Sequence, residues 1–229
     1  VFRLPDDLPV EDGASFFVNP YTAIGILDTA KEQGAKVIIH TAAASQLGQM
    51  LVKLAPTEGM EVINVVRREE QAELLKNLGA QHVVVTGSGD SWKEELKSKV
   101  EELGATVAFD AVAGQSTGDL LDVLPPKGSV YVYGGLAGKV EHVDPLALIY
   151  KEKKLKGFWL TSWIQQGGTL SMLFRLMSAS RKVNSGLKQG GWSSTQFKDT
   201  KMENVQTDIV ELLDSSITGQ KLRIRFDSS

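Results

Sequence analysis

Between residue 36 and residue 163, short β-branched runs alternate with longer stretches in which apolar residues recur every three or four positions. Lys36-Val-Ile-Ile-His40 reads as a buried strand. Gln46 to Ala55 sets Leu47, Met50, Leu51 and Leu54 on one helical face, and Pro56 should stop that helix. The same rules predict strand 61–66, helix 69–78 ended by Gly79, strand 82–86, helix 92–103 closed by Gly104, strand 106–110, helix 117–124 and strand 129–133, with Leu155–Trp163 following as a strand and turn. Strands that alternate with helices require crossover connections and therefore lie parallel. Right-handed crossovers with helices on both faces give an open, doubly wound α/β sheet whose ligands sit beyond the strand carboxyl ends. The alternation stops near residue 164. A helical 170–183, a polar 184–200 and a terminal strand 221–226 predict a C-terminal segment, 164–229, that belongs to a partial second domain.

The composition supports a packed core: 42% of the residues are hydrophobic and 23% charged. The net charge of −3 offers no general attraction to nucleic acid or anionic lipid, so any bound anion must be met locally. No apolar run approaches the roughly 20 residues of a membrane span. With no cysteine, a disulfide framework, a thiolate metal site and a cysteine nucleophile are all excluded. The three histidines are scattered without metal-ligand spacing, so no metal is expected. These features predict a protein of a reducing cell interior. Position 1 is Val, and strand-like Val1–Leu4 runs into Pro5, so an N-terminal portion is expected to precede it.

The chemistry should lie in the loops at the strand ends. The first turn, Thr41-Ala-Ala-Ala-Ser-Gln-Leu-Gly48, places Ala43, Ser45 and Gly48 where a Rossmann-like dinucleotide fingerprint carries its three glycines. Two of the three are replaced, yet small residues allow close phosphate approach and the helix amino terminus supplies N–H groups and positive dipole. The second strand ends in Arg67 and Arg68. An NAD site carries an acid there to accept from ribose hydroxyls, whereas paired guanidiniums attract a 2′-phosphate, which favours NADPH. The competing reading has these arginines paired with Glu69 and Glu70 on a solvated surface. The same arginine argues against a methyltransferase-like ribose site.

Several segments resemble, in order, the zinc-independent medium-chain dehydrogenase/reductase family: Asn19-Pro-Tyr-Thr-Ala23, Ala42-Ala-Ala-Ser-Gln-Leu-Gly48, Ile63-Asn-Val-Val-Arg-Arg68, Leu78-Gly-Ala80, Tyr133-Gly-Gly-Leu136 and Lys156-Gly-Phe-Trp-Leu160. The resemblance is nearest to the mitochondrial 2-enoyl thioester reductases and the quinone oxidoreductase-like proteins. It implies a division into the end of a catalytic-domain segment (1–20), a dinucleotide-binding domain (21–163) and a return to the catalytic domain (164–229). It places Asn19 and Thr22 beside the nicotinamide, Ala44, Ser45, Gln46 and Leu47 around the pyrophosphate, and Arg67 and Arg68 on the 2′-phosphate. Tyr133, Gly134, Gly135 and Leu136 would border the nicotinamide ribose, Phe158, Trp159, Leu160 and Thr161 would flank the ring, and Lys221 would also reach the cofactor. Where zinc-dependent relatives have a metal-binding cysteine, this chain has Val18.

The implied activity is NADPH-dependent hydride transfer to an activated double bond or quinone in a small-molecule substrate. The segment bearing the family's substrate-facing tyrosine would precede residue 1, so no catalytic residue is assigned. The alternative is a non-enzymatic NADPH-binding sensor or structural protein. His40, His82 and His142 are read as structural or surface residues, Asp110 as loop support, and Trp163 and Trp192 as buried aromatics without a role. The exposed edge of the last strand predicts a homodimer, as such edges imply in the resembling family. Neither nucleic acid nor membrane is expected as a partner, and the location is expected to be cytoplasmic or mitochondrial.

Overall fold

The computed structural model describes residues 13–226, apart from 14, 88, 90, 189–191, 193–195 and 215–219. The strand-like Val1–Leu4 segment and most of the predicted 1–20 entry lie outside the described residues.

Six strands pair in parallel: β1 (Val37–His40), β2 (Glu61–Val66), β3 (His82–Val85), β4 (Val107–Asp110), β5 (Ser129–Val132) and β6 (Lys154–Gly157). Their order is β3-β2-β1-β4-β5-β6. The chain thus moves outward from β1 to β3, returns to β4 and continues the other way, which opens a crevice between the ends of β1 and β4. Alternation within the strands divides the core. Ile38, Phe109 and Tyr131 face one layer, formed by α1 (Val18–Glu32), α2 (Gln46–Thr57), α7 (Leu160–Gln165) and α8 (Gly168–Lys188). Ile39, Ala108 and Val130 face the other, formed by α4 (Trp92–Leu103) and α5 (Gln115–Val123), while α3 (Glu69–Asn77) packs beside Val66 and Val85.

One device sets the rhythm. Helices α1 to α4 each lead to a glycine with positive φ, Gly34, Gly59, Gly79 and Gly104, and the next residue donates its N–H five residues back. Ala35 reaches Ala30, Met60 reaches Ala55, Ala80 reaches Leu75 and Ala105 reaches Val100, at 2.9–3.1 Å. This left-handed cap satisfies the last carbonyls and aims the chain into the following strand.

Three expectations are corrected. Helix α2 continues through Pro56 to Thr57, because a proline in the final turn forfeits only one hydrogen bond and the cap at Gly59 and Met60 ends the helix instead. The segment read over Leu155–Trp163 as a strand and turn is strand only as far as Gly157, and α7 begins at Leu160. The region read as merely polar, 184–200, holds the last turn of α8 and strand β7 (Gln196–Lys201). Strand β7 pairs in parallel with β8 (Gln220–Arg225), and α9 (Val205–Asp214) lies between them in sequence. No periodicity marked α1 either, because it is buried on nearly every side: Tyr21, Ala23, Ile24, Ile26, Leu27 and Ala30 are all in the core. A short helix, α6 (Pro145–Tyr150), precedes β6.

Candidate functional site

The turns beyond β1, β2, β4 and β5 enclose a crevice of about 640 Å³, lined by Thr41, Ala44, Ser45, Arg67, Gln71, Ser116, Leu136 and Ala137 among others. In the first turn the left-handed residue is Ala42, with φ 49°. That is one place before Ala43, where the fingerprint spacing sets the tight-turn glycine. Ser45 caps α2, its Oγ accepting from the Gly48 N–H at 3.2 Å. A Cβ on Gly48 would lie 2.0 Å from the Ala43 carbonyl oxygen, so the one retained fingerprint glycine stands where backbone packs on backbone. Helix geometry leaves the N–H groups of Gln46 and Leu47 without intrahelical acceptors at the positive end of α2, which suits an anion. Their side chains are buried. Gln46 Oε1 accepts from Asn19 Nδ2 at 3.1 Å, tying the start of α1 to the start of α2, and Thr22 is buried in α1.

At the end of β2, Arg67 is exposed and lines the crevice, while Arg68 is half-buried at the start of α3. Gln71 Oε1 accepts from both arginine N–H groups, at 3.1 and 3.2 Å. A polar acceptor three residues into a helix is a readable capping signal, and it would have identified Gln71 from sequence. The Arg67 side chain makes no ion pair with a described residue, so the surface-pairing alternative does not describe it.

Asp110 organises the opposite wall. It is fully buried. Its Oδ1 accepts from Thr41 Oγ1 (2.8 Å), Val112 N (2.9 Å) and Ser116 Oγ (3.2 Å), and its Oδ2 from Ala113 N (3.2 Å) and Thr117 Oγ1 (2.7 Å). Thr41 Oγ1 in turn accepts from Ala111 N at 2.9 Å. One carboxylate therefore holds the turns after β1 and β4 and the start of α5, which is the loop support expected of it. The 134–138 turn is zipped onto the 111–112 turn through Leu136 N to Ala111 O (3.2 Å) and Ala137 N to Val112 O (2.7 Å). Gly134 packs against Ala111, where a Cβ would meet its carbonyl oxygen at 2.7 Å, and Gly135 is exposed. Tyr133 joins β5 to this turn and pairs with His40 at the end of β1.

Beyond β6, the Phe158 N–H donates to Val132 O at 2.8 Å and its ring meets Phe109 edge-on. Trp159 is 67% exposed, and Leu160 and Thr161 open α7 half-buried. Lys221 stands on β8 in the two-stranded sheet and is not among the crevice-lining residues. The lining thus includes Ala44, Ser45, Arg67 and Leu136 of the expected site. It adds Gln71, Thr86, Trp92, Ser116 and Asp119, of which Asp119 is ion-paired with Lys93. Trp163 and Trp192 are buried, and an Arg175 guanidinium lies over the Trp163 ring.

Residues 46–177 match the sequence pattern of the family described as zinc-binding dehydrogenase. The mitochondrial enoyl-[acyl-carrier-protein] reductase of Bos taurus is 36% identical over 169 residues, 71% of this chain and 45% of that protein. The Homo sapiens protein of the same name is 32% identical over the same length and shares. The chain spans about half the length of the curated relatives it matches. A solved Mesorhizobium loti structure, assigned as an NADPH:quinone reductase, is 30% identical with a TM-score of 0.86, covering 98% of this chain and 63% of that one. Escherichia coli quinone oxidoreductase complexed with NADPH has a TM-score of 0.80 at 21% identity, covering 96% and 67%, a likeness of fold. The family description names zinc, but the residues here do not fit such a site. The chain has no cysteine, and no group of three or more His, Asp or Glu is placed to hold a metal among the described residues. No helix among them is long and apolar enough to cross a membrane.

Proposed function

Because the chain belongs to the zinc-binding dehydrogenase family, we propose that it is the cofactor-binding part of an NADPH-dependent oxidoreductase that delivers hydride to a conjugated double bond or a quinone. The carrying observation is that Arg67 opens onto the same crevice as the capped amino terminus of α2. In this reading the N–H groups of Gln46 and Leu47, with Ala44 and Ser45, take the pyrophosphate. Arg67 and Arg68 take the 2′-phosphate as guanidinium donors. Tyr133, Gly134, Gly135 and Leu136 border the nicotinamide ribose. Asn19, Thr22 and Phe158–Thr161 stand at the nicotinamide end, with Lys221 as a further contact.

Bound NADPH supplies the hydride from C4 of its reduced ring. The residues above hold that ring in place and keep water from it. No residue of this chain is assigned as the proton donor to the product. The names of the relatives support an enoyl thioester or a quinone as acceptor, and the mitochondrial relatives support a mitochondrial rather than a cytoplasmic location. The outer edge of β6 is the reading's dimer contact, a second copy extending the sheet.

Thermal stabilisation by NADPH and by NADH at matched concentration tests the reading. A ligand at about 100 times its Kd adds roughly 2.7 kcal/mol, so NADPH should raise the melting temperature clearly more than NADH. Equal shifts would remove the phosphate argument.

A further inference from the structure

Two side chains from strands that are not neighbours meet at the crest of the sheet. His40 closes β1, Tyr133 follows β5, and β4 runs between them. The imidazole Nε2 lies 2.6 Å from the Tyr133 hydroxyl, and the rings stack at 5.8 Å with 12° between their planes. Tyr133 is otherwise fixed. Its N–H donates to the Asp110 carbonyl at 2.9 Å, the next residue packs on Ala111, and Leu136 lines the crevice three positions on. The remaining freedom of Tyr133 is the direction of its hydroxyl hydrogen.

His40 is fully buried, and burial pulls its pKa down to about 3, so the ring is neutral and carries one N–H. Its Nδ1 has no hydrogen-bond partner. A hydrogen on Nδ1 would be a donor stranded in the interior, and Nε2 would then accept the hydrogen bond of the Tyr133 O–H and use up that donor. A hydrogen on Nε2 instead donates to the phenol oxygen and leaves the Tyr133 O–H free to donate elsewhere. Burial, and then the nearby Asp110, push the phenol's pKa above its ordinary value, so the hydroxyl stays a donor.

We propose that His40 is a positioning residue that holds the Tyr133 hydroxyl through its Nε2–H and turns the phenol hydrogen toward an acceptor oxygen at the nicotinamide end of a bound dinucleotide. This rests on the NADPH reading above and adds to it a residue that contacts no ligand itself.

The test uses the full 229-residue chain and two ligands. NADPH is followed by its nicotinamide fluorescence. Adenosine 2′,5′-bisphosphate, which carries the 2′-phosphate but no nicotinamide, is followed by calorimetry. His40→Leu and Tyr133→Phe should each weaken NADPH about tenfold, the equivalent of ~1.4 kcal/mol. The double variant should be no weaker than either single one, since the pair acts as a unit. His40→Gln, which restores a donor near the Nε2 position, should recover most of the affinity, and bisphosphate binding should stay within about twofold throughout. Tyr133→Phe preserves the ring packing and so carries the test even where His40→Leu does not fold. The proposal is overturned if Tyr133→Phe or a folded His40→Leu binds NADPH as the parent does, if His40→Gln is as weak as His40→Leu, or if bisphosphate affinity falls in parallel. A parent chain that binds neither ligand would instead overturn the NADPH reading, and the positioning role with it.

Discussion

Replacing Asp110 by alanine removes the acceptor of five hydrogen bonds at a position with no solvent exposure. The five donors do not lose equally. The hydroxyls of Thr41, Ser116 and Thr117 can rotate to other acceptors, but the N–H groups of Val112 and Ala113 are fixed by backbone that Asp110 itself shapes, with Ala113 at φ 60°. Each buried donor left unmet costs about 1–3 kcal/mol, so Asp110→Ala should cost about 3–5 kcal/mol in total. Asp110→Asn keeps one oxygen for Thr41, Val112 and Ser116 but sets an amide NH₂ against the Ala113 N–H, and should cost roughly 2–3 kcal/mol. Urea unfolding reads both. With a slope near 3 kcal/mol per M, the alanine variant should shift the midpoint down by about 1 M or more. Because the same carboxylate holds the turn that begins at Thr41, NADPH affinity should fall as well. An Asp110→Ala variant with an unshifted midpoint would refute the view that this residue holds the crevice walls together.

Gly48→Ala forces a methyl group to within 2.0 Å of the Ala43 carbonyl oxygen; overpacking of this kind costs about 1–3 kcal/mol or more, and both melting temperature and NADPH affinity should drop. His40 is held neutral in the fold with a pKa of about 3, against 6.5 for an unperturbed imidazole, so below pH 6.5 the unfolded chain binds the extra proton. The contribution is intact above pH 6.5 and is lost as the pH falls toward 3, at a slope approaching about 1.4 kcal/mol per pH unit. Stability measured from pH 7 to pH 4 should therefore fall more steeply for the parent than for His40→Gln, and parallel curves would contradict the assignment. Light scattering should give twice the chain mass if β6 pairs with a second copy, whereas a monomer at micromolar concentration would exclude that contact.

Much of this is legible in the sequence, for identifiable reasons. The parallel sheet announces itself because strands buried on both faces read as unbroken apolar runs, as in Val37–Ile39 and Val107–Phe109, and because the crossover helices α2, α3 and α4 each lead to a glycine in a left-handed cap. Arg67 and Gly48 could be read for the same kind of reason, since strand end and turn spacing fix where a phosphate and a close backbone contact must fall. Helix α1 carried no stripe because it has almost no polar face. Strand β7, Gln196-Phe-Lys-Asp-Thr-Lys201, looked like polar loop because it lies in a two-stranded sheet that buries little, with Asp199 tied to Arg223 and Arg225 across it. The His40–Tyr133 pair was out of reach altogether: the residues are 93 apart in sequence, and only the strand order sets them over β4.

A crystal structure of the chain with NADPH tests the central claim most directly. The account predicts the pyrophosphate against the N–H groups of Gln46 and Leu47 and the 2′-phosphate within hydrogen-bond reach of the Arg67 guanidinium. An empty crevice at saturating NADPH, or a 2′-phosphate that leaves Arg67 facing bulk solvent, would contradict it.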